Sequence, residues 1–336
     1  MNIFNNYNLK TYNTFNLDIK SDFFSEAFNI DEIITLYEFV QSKKINYLVL
    51  GGGSNILFTN DFSGLVLRYV KDEINIIDED KTNTIVEVGA GTKWDKFVEF
   101  CVNNNLYGAE NLSLIPGNVG ASPIQNIGAY GVELKDIFQK LEFFNFENGK
   151  IENYNSQVCN FGYRTSIFKH KLKNKGIITK VNFRLSKIEK YNINYKALND
   201  FLANEKEINL INVRNAVINI RESKIPDYNV FGNAGSFFKN PEINKSLFND
   251  LYEKYPYISY FKVDENKYKL AAGWLIENCG FKGFRKGDVG CFDKQALIIV
   301  NYGNAKGSDI VAFSDEIKKE VLKKFNIELE TEVNII

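Results

Sequence analysis

The sequence predicts an α+β protein, and three patterns carry that expectation. Short apolar strands and amphipathic helices alternate as far as about residue 185. From about residue 208 helices dominate, with short strands between them. No internal repeat or low-complexity linker interrupts either part, and 336 residues leave room for two domains of ~100–200 residues each. The expected division is a region 1–205 of two α+β subdomains and a region 206–326, with a closing strand 327–336 returning to the first.

The elements are expected in the following order. IDEIITLYEFVQSK (30–43) sets Ile30, Ile33, Ile34, Tyr37, Phe39 and Val40 at helical spacing. INYLVL (45–50) reads as a buried strand running into GGGSN, and GLVLRYV (64–70) as another beyond the turn TNDFSG. IVEVGAG (85–91) is a strand and WDKFVEFCVNNNL (94–106) a helix. LEFFNFENGKIENYN is a strand pair and IITKVNFRLSK a further strand. In the second region INLINVRNAVINIRESKIPD is a helix closed by Pro226, and another helix lies near 244–254. KLAAGWLIENCG (269–280) has helical spacing and a glycine C-cap. ALIIVN (296–301) is a short strand, SDIVAFSDEIKKEVLKKFN a long amphipathic helix, and IELETEVNII a final strand.

Composition narrows the function. A hydrophobic fraction of 44% and a charged fraction of 25% are those of a soluble globular protein. Forty-one basic against 42 acidic residues leave a net charge of −1, and no basic block suits nucleic acid or a membrane surface. The four cysteines (Cys101, Cys159, Cys279, Cys291) are scattered, which argues against both a zinc site and a disulfide framework. With no signal peptide and no apolar run approaching ~18 residues, a cytoplasmic protein is expected. One histidine, His170, stands in the basic stretch FKHKLKNKG, so proton transfer should rest on other side chains.

Two glycine-rich segments point to a ligand. LGGGSN (50–55) follows a strand, but Ile56 stands where a G-x-G-x-x-G fingerprint needs its third glycine. The segment after it breaks like strand–turn–strand rather than opening a helix. Glycine amides ahead of Ser54 and Asn55 suit either an anion-binding nest or a plain tight turn. SLIPGNVGASPIQNIGAYG (113–131) packs four glycines and two prolines into 19 positions, with almost no charge. Such backbone suits close packing against a flat polar ligand, or else a buried loop crossing the core.

These segments, with FGYRTSIFK (161–169), RESKIPD (221–227), GNAGSFFKNP (232–241), KLAAGWLIE (269–277) and DKQALIIVN (293–301), resemble in order the UDP-N-acetylenolpyruvoylglucosamine reductase family of bacterial cell-wall precursor synthesis. The resemblance covers nearly the whole chain. It implies an FAD-binding domain of the vanillyl-alcohol-oxidase type plus a C-terminal α/β substrate-binding domain. The implied reaction is NADPH-dependent reduction of the enolpyruvyl ether of a UDP-sugar to a lactyl ether, by a cytoplasmic monomer. INYKAL resembles the subtype with an extra tyrosine loop over the substrate.

The resemblance assigns FAD to Gly51, Gly52, Gly53, Ser54 and Asn55 in the first segment. In the second it assigns Ile115, Pro116, Gly117, Gly120, Ala121, Ser122, Gln125, Asn126, Gly128, Ala129, Tyr130 and Gly131. Hydride addition to the terminal enolpyruvyl carbon builds negative charge on the next carbon and its carboxylate, so the site needs charge stabilisation and a proton donor. By the family match, Arg164 and Glu332 shape that charge and Ser236 donates the proton. Glu332 follows Thr331 where the family usually has proline, and the spacing of Glu328, Glu330 and Glu332 reads by itself as a solvent face. Lys224, Lys239 and Asn240 are polar groups expected near Ser236. Tyr163, Tyr195, Arg221, Lys224, Asn240, Lys282 and Gln295 match substrate positions, and Phe261 or Tyr260 occupies the region of another.

Three other readings compete, one of them a non-catalytic nucleotide-binding protein, which would not require Arg164, Ser236 and Glu332 together. Ser236-Phe-Phe-Lys239 satisfies the S-x-x-K pattern of serine–lysine acyl-transfer enzymes, but Asn240-Pro241 would interrupt the helix that pattern requires, and no K-T-G or S-D-N follows. A flavin-dependent alcohol or sugar oxidase of the same fold is the nearer alternative.

Overall fold

Local side-chain spacing sets the first two long helices. The computed structural model describes residues 1–203 and 205–336. The helix Ile30–Lys43 is closed at its start by the Asn29 side chain, which accepts from the Glu32 amide, and it buries Ile33, Leu36 and Val40. Trp94–Asn103 buries Trp94, Phe97, Val98, Cys101 and Val102 along one stripe.

The chain forms two units. The first comprises Met1–Tyr7, Ser21–Gly53 and Phe62–Glu222, and the second Asn8–Lys20, Ser54–Asp61 and Ser223–Ile336. In the first unit, a four-stranded sheet runs Phe4–Asn8, Lys20–Ala27, Phe62–Tyr69, Tyr47–Val49, with the last three strands parallel. A five-stranded antiparallel sheet has the order Lys150–Asn155, Phe138–Asn145, Gly176–Ser186, Asn83–Gly89, Ile74–Glu79. One core joins these layers, in which Trp94, Phe97 and Phe183 form a tight aromatic group.

The second unit carries three-stranded sheets Glu242–Asn244, Lys267–Leu270, Tyr260–Lys262 and Arg285–Lys286, Val289–Cys291, Ile299–Asn301. Its helices are Lys245–Lys254, Ala272–Asn278 and Gly307–Phe325. No helix among the described residues is long and apolar enough to cross a membrane.

Several expectations need correction. The closing stretch IELETEVNII is not one strand: only Asn334–Ile335 forms a strand, parallel to Ile56–Leu57, while 330–332 make backbone bonds and an isolated bridge at Thr331. KLAAGWLIENCG begins extended and becomes helical only at Ala272, where the Asn240 Oδ1 accepts the Ala272 amide. The strand INIIDE (74–79) was not foreseen, because five of its six residues are exposed and only one strand partner orders it.

The Gly307–Phe325 helix starts against the chain just after Leu57. A methyl group at Gly307 would lie 1.8 Å from the Phe58 carbonyl oxygen. Gly307→Ala is therefore expected to reduce the free energy of unfolding by about 1–3 kcal/mol. Urea denaturation with an unchanged slope would show this, whereas a variant as stable as the parent would mean the helix shifts freely.

Candidate active site

In the first unit the two glycine-rich segments lie back to back. A Cβ at Gly52 would sit 2.7 Å from the Gly117 Cα, and one at Gly120 would meet the Ala90 Cβ at 2.6 Å. Only glycine permits this approach. Gly53, Gly117 and Gly131 adopt left-handed φ of +66°, +110° and +84°, and so do Leu114, Asn126 and Tyr130 at +59°, +47° and +49°. Non-glycine residues in that region cost of order 1–3 kcal/mol each and persist where their surroundings hold them.

The hold comes from side chains. Asn126, fully buried, donates to the Gly162 carbonyl (3.1 Å) and to Glu133 (3.0 Å), while its own oxygen accepts the Lys135 amide. Ser122, also buried, spends its hydroxyl on the Val119 carbonyl at 2.7 Å. Asn111 donates to the carbonyls of Tyr130 (2.8 Å) and Asn192 (2.7 Å). Tyr195 meets Tyr130 edge to face at 5.2 Å.

Arg164 lies in a tight turn closed by paired backbone bonds between Gly162 and Thr165, at a φ of +53°. Its Nη2 donates to the Gly128 carbonyl at 2.6 Å, and its guanidinium stands 5.4 Å from the Tyr163 ring. The arginine is thus tied directly to the second glycine-rich segment. His170 bonds the Thr165 hydroxyl at 2.8 Å and so supports the end of this turn.

Burial pulls the Arg221 guanidinium below its ordinary value, against the opposing influence of Tyr130 and Asp95. Its Nε is enclosed and has no hydrogen-bond partner.

In the second unit SFFKNP, which follows a left-handed Gly235, is not helical. Phe237 donates its amide to the Leu297 carbonyl (2.9 Å), and its carbonyl accepts the Glu332 amide (2.9 Å). The Lys239 amide bonds the Glu330 carbonyl at 2.9 Å, and isolated bridges join Ser236 to Ile298 and Phe238 to Thr331. Phe237 and Phe238 are both buried, whereas Ser236 is exposed. The Asn55 side-chain amide reaches the Glu332 carbonyl at 3.5 Å, and the Asn55 carbonyl accepts both the amide and the side chain of Asn334. Ser236 and Glu332 therefore stand on adjoining segments of one ladder.

Glu332 departs from the solvent face expected of its spacing. Glu328 and Glu330 are exposed, but Glu332 is half-buried, held between the Phe237 carbonyl and Asn55. Lys239 is a second correction: its ammonium pairs with Glu330 and is not left to assist Ser236.

Asn240 and Gln295 converge on the start of the Ala272–Asn278 helix, where a Cβ at Gly273 would meet the Gln295 Oε1 at 2.8 Å. Lys282 pairs with Glu277 at 2.8 Å, and Lys224 is exposed. Tyr260 packs with Phe248, Tyr252 and Tyr268, while Phe261 lies outside that aromatic group and opposite Lys269.

Asp95 and Arg214 escaped sequence reading. They form a two-pronged ion pair, Nη1 to Oδ1 and Nη2 to Oδ2, each at 2.8 Å. Burial alone would push the Asp95 carboxyl up, but hydrogen bonds from Arg214 and the Leu114 amide outweigh it and hold the group below its ordinary value. A pair 119 residues apart leaves no local pattern to find.

Comparison with known proteins bears on this arrangement. A family model described as "UDP-N-acetylenolpyruvoylglucosamine reductase, C-terminal domain" matches residues 226–336, and one described as "FAD binding domain" matches residues 22–155. The UDP-N-acetylenolpyruvoylglucosamine reductase of Flavobacterium johnsoniae is 45% identical over 339 aligned positions, covering 100% of both chains. That of Bacteroides fragilis is 43% identical over 332, covering 98% of this chain and 99% of its own. Among solved structures, the UDP-N-acetylenolpyruvylglucosamine reductase of Thermus caldophilus matches with a TM-score of 0.68 at 23% identity, over 99% of this chain and 98% of that one. At that identity the last match speaks for the fold alone.

The back-to-back glycines generate a test. Gly52→Ala, whose methyl would press the two segments apart, is expected to raise the FAD dissociation constant by roughly tenfold or more, the equivalent of about 1.4 kcal/mol of overpacking. Flavin absorbance per polypeptide after desalting, with fluorescence titration of the apoprotein, reads it directly. Full flavin occupancy and unchanged affinity would remove these glycines from the cofactor site.

Proposed function

This chain belongs to the UDP-N-acetylenolpyruvoylglucosamine reductase family, and from that membership we propose how its own residues carry the reaction. The enzyme is an FAD-containing oxidoreductase of peptidoglycan precursor synthesis. Its substrate is UDP-N-acetylglucosamine enolpyruvate, its product UDP-N-acetylmuramate, and its reductant NADPH. The observation that carries the assignment of roles is the ladder that sets Ser236 beside Glu332.

The residues present fit a flavin dinucleotide. Backbone approaches that a single methyl would block, in two segments nearly free of charge, suit a pyrophosphate and a flat ring system. Gly51 to Asn55 and the segment 115–131 would hold it. Bound FAD supplies hydride to the terminal enolpyruvyl carbon.

The remaining work belongs to the protein. Arg164, anchored on the Gly128 carbonyl, presents a guanidinium to the substrate carboxylate and spreads the charge that develops there. Glu332, held by its backbone on both sides, completes the charge environment of that carboxylate. Ser236 lends its hydroxyl proton to the carbon next to the carboxylate. An exposed hydroxyl on a fixed strand suits that task, because the proton must travel to carbon within hydrogen-bond reach. Arg221, Lys224 and Lys282 provide cations for the diphosphate, and Asn240 and Gln295 provide amides. Tyr163, Tyr195 and Phe261 pack against the nucleotide and sugar. The non-helical backbone at 236–239 and the pairing of Lys239 with Glu330 weigh against the serine–lysine acyl-transfer alternative. All four cysteines are free thiols, in keeping with a reducing cytoplasm.

The reading is tested on the purified enzyme. Heat denaturation is expected to release FAD. Under anaerobic stopped flow, NADPH should bleach the flavin band and the enolpyruvyl nucleotide should then restore it. A protein whose flavin is bleached by NADPH but never reoxidised by that nucleotide would contradict the assigned substrate.

A further inference from the structure

The first turn of the Trp94–Asn103 helix grips the entry to the second glycine-rich segment through three bonds. The Trp94 amide donates to the Gly117 carbonyl at 3.0 Å, and the indole Nε1 donates to the Leu112 carbonyl at 2.8 Å. The Leu114 amide donates to Asp95 Oδ1 at 2.5 Å, steadying a leucine that sits at a φ of +59°. Arg214 then closes on both Asp95 oxygens. After these bonds Oδ1 accepts two hydrogens and Oδ2 one, all in fixed directions.

Arg214 and Arg221 lie seven residues apart on the Leu210–Lys224 helix, which is nearly two turns, so they share one face. The Asp95 charge favours the protonated form of both. Yet Arg221 makes no ion pair with it, and its Nε is enclosed without a partner. An enclosed guanidinium nitrogen with an unspent hydrogen suits an anion; of the two groups that favour the Arg221 cation, the Tyr130 phenol and the Asp95 carboxylate, only the carboxylate carries a charge, and it is already engaged.

We propose that Arg214 is a positioning residue: by occupying both oxygens of Asp95 it keeps that carboxylate from pairing with Arg221, and so reserves the Arg221 guanidinium for the diphosphate of the nucleotide substrate. The proposal rests on the reading of Arg221 as a substrate contact. It assigns the ion pair a role in specificity beyond fastening the helix to the flavin segment. Without Arg214, Asp95 has an unpaired oxygen and one remaining cation within its influence. The carboxylate then competes with the ligand for Arg221.

The test is UDP binding to the FAD-loaded enzyme by calorimetry, with thermal unfolding recorded for each variant. Arg214→Met is expected to weaken UDP binding by roughly fivefold or more. Asp95→Asn/Arg214→Met removes the competing charge while keeping an acceptor for the Leu114 amide, and should recover binding to within about twofold of the parent. Should Arg214→Met fold poorly, Arg214→Lys keeps the charge but loses the two-pronged grip; it is expected to weaken binding roughly twofold to threefold, again relieved by Asp95→Asn. Recovery counts where Arg214→Met unfolds at the parental temperature, since a merely structural ion pair also strands a carboxylate that Asp95→Asn relieves; binding losses that track the unfolding temperature overturn the proposal. Unchanged binding in the Arg214 variants, or no recovery on adding Asp95→Asn, overturns the proposal. Arg221→Met run in parallel separates the two readings: if it leaves UDP binding unchanged, Arg221 is not a substrate contact at all.

Discussion

The site in the second unit depends on one short run of backbone pairing. Residues 236–239 lie between the segment at 297–298 and the segment at 330–332, bonded to both through Phe237 and Lys239. The two phenylalanines are sunk in the core, so the strand cannot rotate without exposing them. That constraint leaves Ser236 at the surface and brings Glu332 alongside, although the two are far apart in sequence. Asn55 completes the ladder by reaching the Glu332 carbonyl, so the residue that ends the first glycine-rich motif also fixes a residue of the proposed acid chemistry.

In the first unit the constraint is steric. Two glycine-rich segments approach more closely than any side chain would permit, and left-handed residues without glycine's freedom cluster in the same place. Leu114, Asn126, Tyr130 and Arg164 all sit there, each pinned by side-chain or backbone bonds. Strain gathered at one site and held by surrounding hydrogen bonds is the mark of a preorganised binding surface. The charges follow the same logic, since Asp95 is engaged by Arg214 and the Leu114 amide while Arg221 keeps an unspent donor.

Much of this was legible in the sequence, for identifiable reasons. Helices with a clear apolar stripe, such as Ile30–Lys43 and Gly307–Phe325, appear within a residue or two of their expected ends because local spacing determines them. The glycine-rich segments were legible because a charge-free run of small residues has few structural uses. The half-burial of Glu332 was not, because alternation along IELETEV predicts the same face for Glu328, Glu330 and Glu332. Only the partner strand and Asn55 distinguish the third from the first two. Lys239 looked available beside Ser236 until Glu330, about ninety residues away, took its charge. The Asp95–Arg214 pair belongs to the same class, a long-range contact between residues that are individually unremarkable.

The central claim is that Ser236 acts as an acid toward carbon, not as a nucleophile or a structural hydroxyl. Anaerobic stopped flow of Ser236→Ala, following flavin absorbance in the two half-reactions separately, tests it most directly. The account predicts near-parental reduction by NADPH and a loss of roughly two orders of magnitude or more in reoxidation by the enolpyruvyl nucleotide, the range of general acid catalysis. Equal losses in both half-reactions, or reoxidation at the parental rate, would contradict it.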